Sequence, residues 1–532
     1  RAQKQCVGVP ADADDAELKE WVKVAGNPLI EHGPEPQNGV INFRDPTEAW
    51  RLPNGTYRQA FGTSILPNTA AIALYDTPTL TKNYTFAGLL TATDTFVQPM
   101  FECPNYFSVS NFSAAVGPQR FALKVSDMES RQDYFYLGLD SRDGARGETF
   151  QQTCYAGVAN CAQNPPPGDM NARLVDFGKW YASTTFWDAK RQRRVLWGWI
   201  NEDWPGYAAS QNWAGAQSLP RVLGYDADQR MLTAAPIPEL TQLRRDSIVR
   251  TQPNGSSLDG LVLNPDPTAA PVWVTTSNAL RPQIEVVANF TVSKALFSAG
   301  ASQIDIGLGV MHDAAAVAAG NPKVMAFAGV VVTNAGATPT TDVEWVGGTY
   351  WIGNVAGATT ADQIGACADL CVRDQRCVAW SFNRTAQTKP CVLKSTFASS
   401  SAANSLGWTS GRPASRPIFG LFREESGTVG ATNPHVGRAA WVDLDADNYQ
   451  LELRVFVDRS VVEAFKDGGR ERVASRVYNV NASALVSAVY KVQGITPEAA
   501  NAAGRVVLSS VQAWHVGTIW TKPPVQFHPP SG

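Results

Sequence analysis

The sequence predicts an all-β protein with more than one domain. Short runs of β-branched and aromatic residues recur between clusters of Gly, Pro, Asn and Asp, and helical periodicity is scarce. At 532 residues, with 44% hydrophobic and 17% charged residues, the chain is long enough for separate cores. This pattern favours a β-sandwich, a barrel or a propeller. The clearest strand candidates are 119–125, 133–139, 195–200, 451–457 and 505–514.

Composition argues against several classes of partner. The formal net charge is −3 and no long basic run is present, so nucleic acid and anionic membrane are poor partners. The longest apolar candidate, 314–332, is interrupted by polar residues and predicts strand, turn and strand rather than a membrane span. The five histidines lack metal-ligand spacing, so we expect no metal site. Because the chain begins at Arg1, we expect it to be processed or incomplete at that end.

Cysteines and glycosylation sequons indicate the secretory pathway. The chain has eight cysteines, and seven N-x-S/T sequons accompany them. Accidental sequons in a cytosolic protein are the alternative, but the combination favours a secreted, cell-wall or vacuolar glycoprotein. The predicted glycosylation sites are Asn54, Asn83, Asn111, Asn254, Asn289, Asn383 and Asn481.

Two short acidic motifs carry the most chemical information. They are Phe43-Arg44-Asp45-Pro46 and Phe101-Glu102-Cys103-Pro104. Proline fixes φ and removes a backbone donor, so we expect each acid to lie where a strand ends. Such positions present side chains to a cleft. A pair of carboxyl groups in a cleft suggests glycoside hydrolysis, in which one protonates the leaving oxygen and another acts at the anomeric centre.

The chain divides by composition into two large parts and one small insertion. Turn-like residues and a short connector near 224–244 predict a boundary between a domain at 1–230 and a second β-rich domain at 245–525. Within the second domain, segment 348–413 holds four of the eight cysteines, and its residues 361–372 have helical character. Four cysteines also suit zinc, but their irregular spacing and the secretory context favour disulfides.

This insertion resembles the PAN/apple module. A helix carrying two cysteines is followed by Cys377-Val378-Ala379-Trp380-Ser381-Phe382 and then by Cys391-Val392-Leu393-Lys394. The resemblance implies the disulfides Cys367–Cys391 and Cys371–Cys377. It also implies a module of the kind that binds proteins or carbohydrates, and an insertion without a ligand is an equal alternative.

The other four cysteines have no such pattern. Cys154 and Cys161 enclose a short loop and are expected to pair locally. Cys6 and Cys103 are left over, either free or paired outside this chain.

Seven motifs in order resemble glycoside hydrolase family 32, the β-fructofuranosidases, and most of all its plant-type members. Each motif alone is weak, but their order and spacing make the resemblance strong. They are LKEWVKVAGNPLI at 18–30, NFRDPTEAW at 42–50, MFECPNYF at 100–107, DFGKWYAS at 176–183, LWGWINE at 196–202, WAGAQSLPR at 213–221 and LRVFVDRSVVEAF at 453–465.

The resemblance implies a five-bladed β-propeller followed by a β-sandwich. It implies that Glu102 is the general acid/base and that Asp45 stabilises the transition state. Arg44 would help to orient the sugar, and Asp176 and Lys179 would form a substrate-binding pair. The implied reaction is retaining hydrolysis of sucrose or related β-fructosides, without a cofactor.

One element of the family pattern is missing. Family members begin the propeller with a W-x-N-D-P-N-G-like motif whose Asp is the nucleophile, and this chain has no such motif. We therefore expect the first blade to be missing from this chain and the nucleophile to come from an N-terminal segment or a second chain. The alternative is an inactive relative that acts as a carbohydrate-binding or structural glycoprotein. A smaller departure is Asn105, where many relatives have Asp.

Overall fold

The fold is described from a computed structural model. This structure describes residues 3–34, 42–65, 69–93, 100–109, 112, 120–128, 131–141, 149–152, 173–202, 213–226, 231–266, 268–276, 282–319, 324–333, 340–341, 349–353, 359–373, 377, 379–386, 390–394, 408–411, 417–422, 435–478 and 483–517.

The first part of the chain is built from short antiparallel strands. Their bounds are β1 Gly8–Pro10, β2 Trp21–Lys23, β3 Phe43–Arg44, β4 Trp50–Arg51, β5 Tyr57–Ile65, β6 Thr69–Thr77, β7 Thr85–Thr93, β8 Phe101–Ser108, β9 Arg120–Asp127, β10 Gln132–Ser141, β11 Thr149–Gln152, β12 Arg173–Leu174, β13 Trp180–Asp188, β14 Arg193–Ile200, β15 Ala216–Gln217, β16 Arg221–Asp226 and β17 Met231–Pro236.

The second part adds longer strands and, within the described residues, three α-helices. The strands are β18 Arg244–Ser247, β19 Leu261–Val262, β20 Val272–Trp273, β21 Gln283–Ser293, β22 Gln303–His312, β23 Val324–Thr333, β24 Thr340–Thr341, β25 Thr349–Gly353, β26 Ala379–Asn383, β27 Cys391–Lys394, β28 Trp408–Gly411, β29 Ile418–Phe422, β30 His435–Arg438, β31 Val442–Asp443, β32 Asn448–Asp458, β33 Val461–Lys466, β34 Glu471–Arg476, β35 Ser487–Gln493 and β36 Val506–Val516. The helices are α1 Ala314–Ala318, α2 Thr360–Arg373 and α3 Pro497–Ala503.

The all-β prediction is confirmed, with one local difference. All five strand candidates lie in strands, namely β9, β10, β14, β32 and β36. The expected strand at the start of 314–332 is wrong, because this segment begins as helix α1. The reason is local: the Asp313 carboxylate accepts the backbone N–H of Ala316 at 2.8 Å and so caps the helix. No helix in the described part of the chain is both long and apolar enough to cross a membrane.

The first part forms a β-propeller. Among the described residues, three antiparallel sheets act as blades, with strand orders β3-β5-β6-β7, β8-β9-β10-β11 and β13-β14-β16-β17. Strand β5 packs against β8 and β8 against β13, so these three strands join neighbouring blades. A Cβ on Gly62 of β5 would lie 2.1 Å from the Phe101 carbonyl oxygen of β8, so this close approach requires glycine. A hairpin, β1–β2, precedes these sheets, and the expected count of five blades stays a prediction.

The second part forms a β-sandwich. One sheet has the order β18-β36-β21-β32-β33-β34 and the other β20-β35-β22-β23-β29-β30. Strand β21 shows why the sheets pack: Val286, Ala288, Phe290 and Val292 are buried, whereas the residues between them are half-buried. The buried faces of the two sheets form one apolar cluster that continues into the propeller.

The cysteine-rich segment is an insertion within the sandwich. Its sheet, β24-β28-β26-β27-β25, and helix α2 lie in sequence between β23 and β29, which pair with each other. Disulfides join Cys367 to Cys391 and Cys371 to Cys377, with Cα–Cα distances of 5.6 and 5.1 Å. These are the two pairs that the PAN resemblance implies. The expected pair Cys154 and Cys161 lies outside the described residues.

A buried arginine joins the propeller to the sandwich. Arg221 on β16 donates to the Asp176 carboxylate at 2.7 Å and to the Glu463 carboxylate of β33 at 2.7 Å. Its guanidinium also lies 3.8 Å from the ring centre of Trp180. The Arg221 and Asp176 side chains are fully buried and that of Glu463 is 3% exposed. Burial raises the pKa of Glu463, and Arg221 opposes that shift by stabilising the carboxylate.

Backbone contacts extend the same junction. Residues 177–179 run beside β34, where the N–H groups of Phe177 and Lys179 donate to the carbonyls of Arg472 and Ala474 at 2.9 and 3.0 Å. A Cβ on Gly178 would lie 1.8 Å from the Ala474 carbonyl oxygen, so only glycine allows this contact. The side chain of Arg472 returns to the propeller and donates to the carbonyl of Leu174 at 3.2 Å.

Removing the charge of Arg221 should destabilise the junction strongly. In Arg221→Met, two buried carboxylates lose their shared partner, so the free energy of unfolding should fall by about 3–5 kcal/mol. Urea unfolding of the variant and the parent protein measures this change. The matched control is Arg191→Met, because Arg191 is 50% exposed although it contacts Glu239 at 2.7 Å. Equal shifts in the two variants would contradict the role given to Arg221.

One buried histidine makes the sandwich sensitive to acid. His312 is fully buried, its Nε2 lies 3.1 Å from the Ser487 hydroxyl, and its ring lies 4.7 Å from that of Trp273. Burial lowers the pKa of His312 from 6.5 to about 4. The folded state disfavours the imidazolium. The contribution of neutral His312 to the free energy of unfolding is therefore fully present above pH 6.5 and falls as the pH drops towards 4.

This shift predicts a measurable loss of stability in acid. Since one pKa unit corresponds to about 1.4 kcal/mol, His312 should remove up to about 3 kcal/mol between neutral pH and pH 4. Urea unfolding at a series of pH values should show a smaller acid-induced loss for His312→Gln than for the parent protein. His515→Gln, at a half-buried position of β36, serves as control and should keep the parental pH dependence. An unchanged slope in His312→Gln would refute the assignment.

Candidate active site

The two motif acids lie on neighbouring blades. Asp45 follows strand β3 directly and has a positive φ of 59°. Glu102 is the second residue of β8, so the expectation that both acids follow strand ends holds for Asp45 only. The physical reason is a bulge: the pairing of β8 with β9 shifts between Glu102 and Asn105. Pro104 lies inside this bulge, where no ladder hydrogen bond is required of it.

Arg44 connects the two acids. Its Nη2 donates to Glu102 Oε1 in a short contact, and its Nε lies 3.7 Å from Asp45 Oδ2. Its Nη1 also donates to the side-chain oxygens of Gln3 and Asn42 at 3.0 and 3.2 Å. The exposed fractions of the side chains are 24% for Arg44, 31% for Asp45 and 14% for Glu102. The structure therefore brings these three predicted residues together at an accessible surface.

Tyr181 holds the other oxygen of Glu102. Its hydroxyl donates to Glu102 Oε2 in a short contact. Tyr181 is the second residue of β13, and the Arg131 guanidinium lies over its ring at 5.2 Å. The sequence prediction missed Tyr181, although it lies two residues after Lys179 in a recognised motif. The two contacts fix both oxygens of Glu102, one to a cation and one to a neutral donor.

Cys103 helps to place Asp45. Its backbone N–H donates to Asp45 Oδ2 at 3.0 Å, and its thiol lies 3.7 Å from the same oxygen. Burial raises the pKa of the Cys103 thiol to about 11, and the Lys124 charge opposes this shift. The thiol is therefore protonated at neutral pH and is a poor nucleophile.

Asn105 links the blades rather than facing the cleft. Its side chain is 9% exposed, its Oδ1 accepts the backbone N–H of Thr185 on β13, and its Nδ2 donates to the Pro104 carbonyl at 2.6 Å. The amide can both accept and donate, whereas a carboxylate can only accept. This departure from the family pattern is thus accommodated by the local hydrogen bonds.

Asp176, one of the predicted pair Asp176 and Lys179, lies at the domain junction. The Asp176 carboxylate is fully buried and accepts from Arg221 at 2.7 Å and from the backbone N–H groups of Gly178 and Ala474 at 2.7 and 2.8 Å. With these contacts and no exposure, it has a structural role at the domain junction. The expected role of Asp176 as a sugar ligand does not fit this position. Lys179 is half-buried, and its backbone is bound to Ala474 and Asn201.

An aromatic cleft lies beside Tyr181. It has a volume of about 400 Å³. Its walls include Trp197 and Trp199 of β14 together with small residues such as Ala182, Gly198 and Gly215. The Trp199 ring lies 6.3 Å from that of Tyr181, and Trp199 is 44% exposed. An exposed indole with open space above it suits the apolar face of a sugar ring.

The predicted glycosylation sites differ in their exposure to solvent. Asn54, Asn83 and Asn254 are exposed, as a glycan requires, and Asn383 is half-buried. Asn289 lies inside strand β21 and its Nδ2 donates to Ser510 at 3.0 Å, which is not the position of an exposed loop. Asn111 and Asn481 lie outside the described residues.

Within the described part of the chain, no cluster of three or more His, Cys, Asp or Glu residues fits a metal ion.

The fold is a β-propeller followed by a β-sandwich, the architecture that the motif resemblance implied. Residues 1–236 match the model of the glycosyl hydrolases family 32 N-terminal domain, and residues 401–515 match that of the family 32 C-terminal domain. Residues 343–394 match the PAN domain model. The chain belongs to glycoside hydrolase family 32 and carries a PAN domain.

Similar proteins agree with this assignment. Acid beta-fructofuranosidase 2, vacuolar, of a Rosa hybrid cultivar is 33% identical over 46% of this chain and 36% of its own length. The acid beta-fructofuranosidase of Vicia faba is 27% identical over 99% of this chain and 67% of its own length. The chain thus corresponds to between a third and two thirds of these relatives.

A solved structure shows the same fold. Fructan 1-exohydrolase IIa from Cichorium intybus superposes with a TM-score of 0.59 and is 22% identical, covering 97% of this chain and 79% of that chain. This agreement extends over both the propeller and the sandwich.

The Cys103 thiol should resist alkylation near neutral pH. Its pKa of about 11 is two units above the ordinary value of 9.0, so the thiolate fraction is about 100-fold lower than that of an ordinary thiol. Iodoacetamide labelling with peptide mapping should show fast reaction at the exposed Cys6 and slow reaction at Cys103, accelerating up to pH 11. Cys103→Ser identifies the slow peptide. Labelling of Cys103 at the rate of Cys6 at pH 7.5 would disprove this environment.

Proposed function

We propose that the complete protein is a retaining β-fructofuranosidase that hydrolyses sucrose or related β-fructosides. The observation that carries this proposal is the linkage of Asp45 and Glu102 through Arg44 at the accessible end of neighbouring blades. Two carboxyl groups with different surroundings suit two different tasks in glycoside hydrolysis. The names of the rose and Vicia faba relatives support the substrate class.

Glu102 is the proposed general acid/base. It gives a proton to the glycosidic oxygen as the bond to the leaving sugar breaks, and it later takes a proton from the attacking water. The two contacts from Arg44 and Tyr181 hold its carboxyl group in one orientation. Its low exposure keeps bulk water away from the transferred proton.

Asp45 is the proposed transition-state stabiliser, and Arg44 orients the sugar. Asp45 is the more exposed of the two acids, and the Cys103 N–H occupies only one of its oxygens at 3.0 Å. Its other oxygen is placed to accept hydrogen bonds from fructose hydroxyls. Its negative charge favours the positive charge that develops on the fructosyl ring. The Trp199 cleft is the proposed platform for the leaving sugar.

The proposed nucleophile is an aspartate outside these 532 residues. The sequence has no W-x-N-D-P-type motif, and the protonated Cys103 thiol is not a substitute. An N-terminal segment, on the same polypeptide or on a second chain, supplies the attacking carboxylate. Its attack on the anomeric carbon forms the fructosyl-enzyme, and water then releases fructose and restores the carboxylate.

A second candidate function is sugar binding or a structural role without turnover. The PAN domain and the missing nucleophile motif favour this alternative. Lys179 remains a candidate sugar ligand in either case. In both cases the seven sequons, the disulfides and the vacuolar relative support a secretory, cell-wall or vacuolar location.

The domain boundaries are proposed on the same basis. The propeller extends beyond the expected limit of 230 through strand β17, Met231–Pro236, which pairs with β16, and the sandwich occupies 245–525. The PAN-like insertion, expected at 348–413, also includes strand β24, Thr340–Thr341, which pairs with β28. The short connector Pro238–Leu243 and the pairing of β23 with β29 support these limits.

An activity assay with two matched variants tests the proposal. Sucrose cleavage is measured for the complete protein, for Glu102→Gln and for Glu48→Gln, whose parent side chain is 53% exposed on the same propeller. Glu102→Gln should lower kcat by about 10²–10⁴-fold with little change in KM, because only proton transfer is lost. Glu48→Gln should keep full activity.

Comparison of the 532-residue chain with the complete protein separates the two candidate functions. The chain alone is the first measurement. It should bind sucrose or 1-kestose in calorimetry but cleave neither, because it lacks the nucleophile. Cleavage by this chain alone would overturn the assignment of the nucleophile. Binding without cleavage by the complete protein would reject the enzyme in favour of the binding protein.

A further inference from the structure

We infer that the buried ion pair of Lys124 and Asp133 is a positioning device for the acid/base Glu102, an inference that rests on the proposed function. Neither residue touches Glu102 directly. Lys124 on β9 and Asp133 on β10 lie two residues apart across paired strands, since Asp133 pairs with Ser126. Lys124 Nζ lies 3.1 Å from Asp133 Oδ2, and both side chains are fully buried.

The pair lies between two β-bulges of neighbouring blades. In β8 the strand pairing shifts between Glu102 and Asn105, and in β13 it shifts between Tyr181 and Thr184. Cys103 in the first bulge and Ala182 in the second have φ angles of 45° and 49°, which are unusual for residues other than glycine. Such strained backbone persists only where the surroundings hold it.

Each bulge removes backbone groups from the strand ladder, and the ion pair binds those groups. Lys124 Nζ donates to the Cys103 carbonyl at 3.2 Å and to the Ser183 carbonyl in a short contact. The Asp133 carboxylate accepts the N–H of Ala182 at 3.1 Å and that of Ser183 at 2.7 Å. Because buried backbone groups require partners, both bulges depend on this one pair.

The two bulges constrain Glu102 from two sides. The first bulge begins at Glu102, and the second begins at Tyr181, which donates to Glu102 Oε2. Lys124 contacts both bulges at once, so it fixes the distance between the acid/base and its tyrosine partner. A buried charge pair suits this role better than an apolar contact, because it offers both donors and acceptors to irregular backbone.

Two variants test the inference in the complete protein. Lys124→Met keeps the length and apolar stem of the side chain but removes the donor. Asp133→Asn is nearly isosteric and places an NH₂ group against Lys124 or a backbone N–H. Each should lower kcat about 10–100-fold with KM within threefold of the parent, because Glu102 is misplaced while sugar contacts remain.

The matched control is Lys466→Met. Lys466 is also a fully buried lysine, paired with Glu471 at 3.2 Å, but it lies in the sandwich. Its variant should lose comparable stability and keep the parental kcat per folded molecule. A purely structural role of Lys124 predicts the same result for Lys124→Met, and that result would overturn the inference.

Crystal structures give a readout that does not require activity. The contact between Tyr181 and Glu102 should be present in the parent protein and in Lys466→Met, and lost in Lys124→Met or Asp133→Asn. If the contact persists in both site variants, the inference is wrong. If the parent protein lacks fructosidase activity, the proposed function fails, and the structures alone decide whether the pair positions Glu102. Should Lys124→Met fail to fold, Asp133→Asn provides both measurements.

Discussion

The buried charge of Arg221 is the constraint on which the two-domain structure depends. A guanidinium without exposure is costly to desolvate, and it is tolerated because Asp176 and Glu463 compensate its charge and Trp180 covers its face. One of these carboxylates belongs to the propeller and the other to the sandwich. Separation of the domains would expose apolar surface and break the buried pair of Arg221 with Glu463, so the domains are bound in one arrangement.

This junction also sets the geometry of the acid cluster. The segment that carries Asp176 continues directly into β13, whose second residue is Tyr181. Its backbone is bound to β34 of the sandwich through Phe177 and Lys179. The sandwich therefore fixes one end of the strand that presents a donor to Glu102. The second domain thus contributes to the site through backbone placement.

Much of the fold and part of the site were predictable from local sequence signals. Alternating apolar residues identified the strands, and motif order identified Asp45, Glu102 and Arg44. Tyr181, Lys124 and Asp133 were missed because each acts through a contact with residues distant in sequence. In the sequence, Lys124 is an ordinary charged residue within a predicted strand. Only the tertiary structure places its ammonium group against the carbonyls of the β8 and β13 bulges. The helix at Ala314–Ala318 was missed because one capping aspartate outweighed a short apolar pattern.

By itself the sequence determined the all-β class, the family, the acids of the RDP and ECP motifs and the cysteine pairing of the insertion. The all-β class follows from residue patterns within short stretches, whereas the family, the two acids and the cysteine pairing follow from the resemblance of its motifs to known families. Only the tertiary structure decided which polar residues face the cleft and which are buried between domains. Asp176 shows the difference: its motif suggested a sugar ligand, but packing against the sandwich enclosed it with Arg221. Burial and hydrogen-bond partners arise from the meeting of separate segments, and a single segment does not encode them.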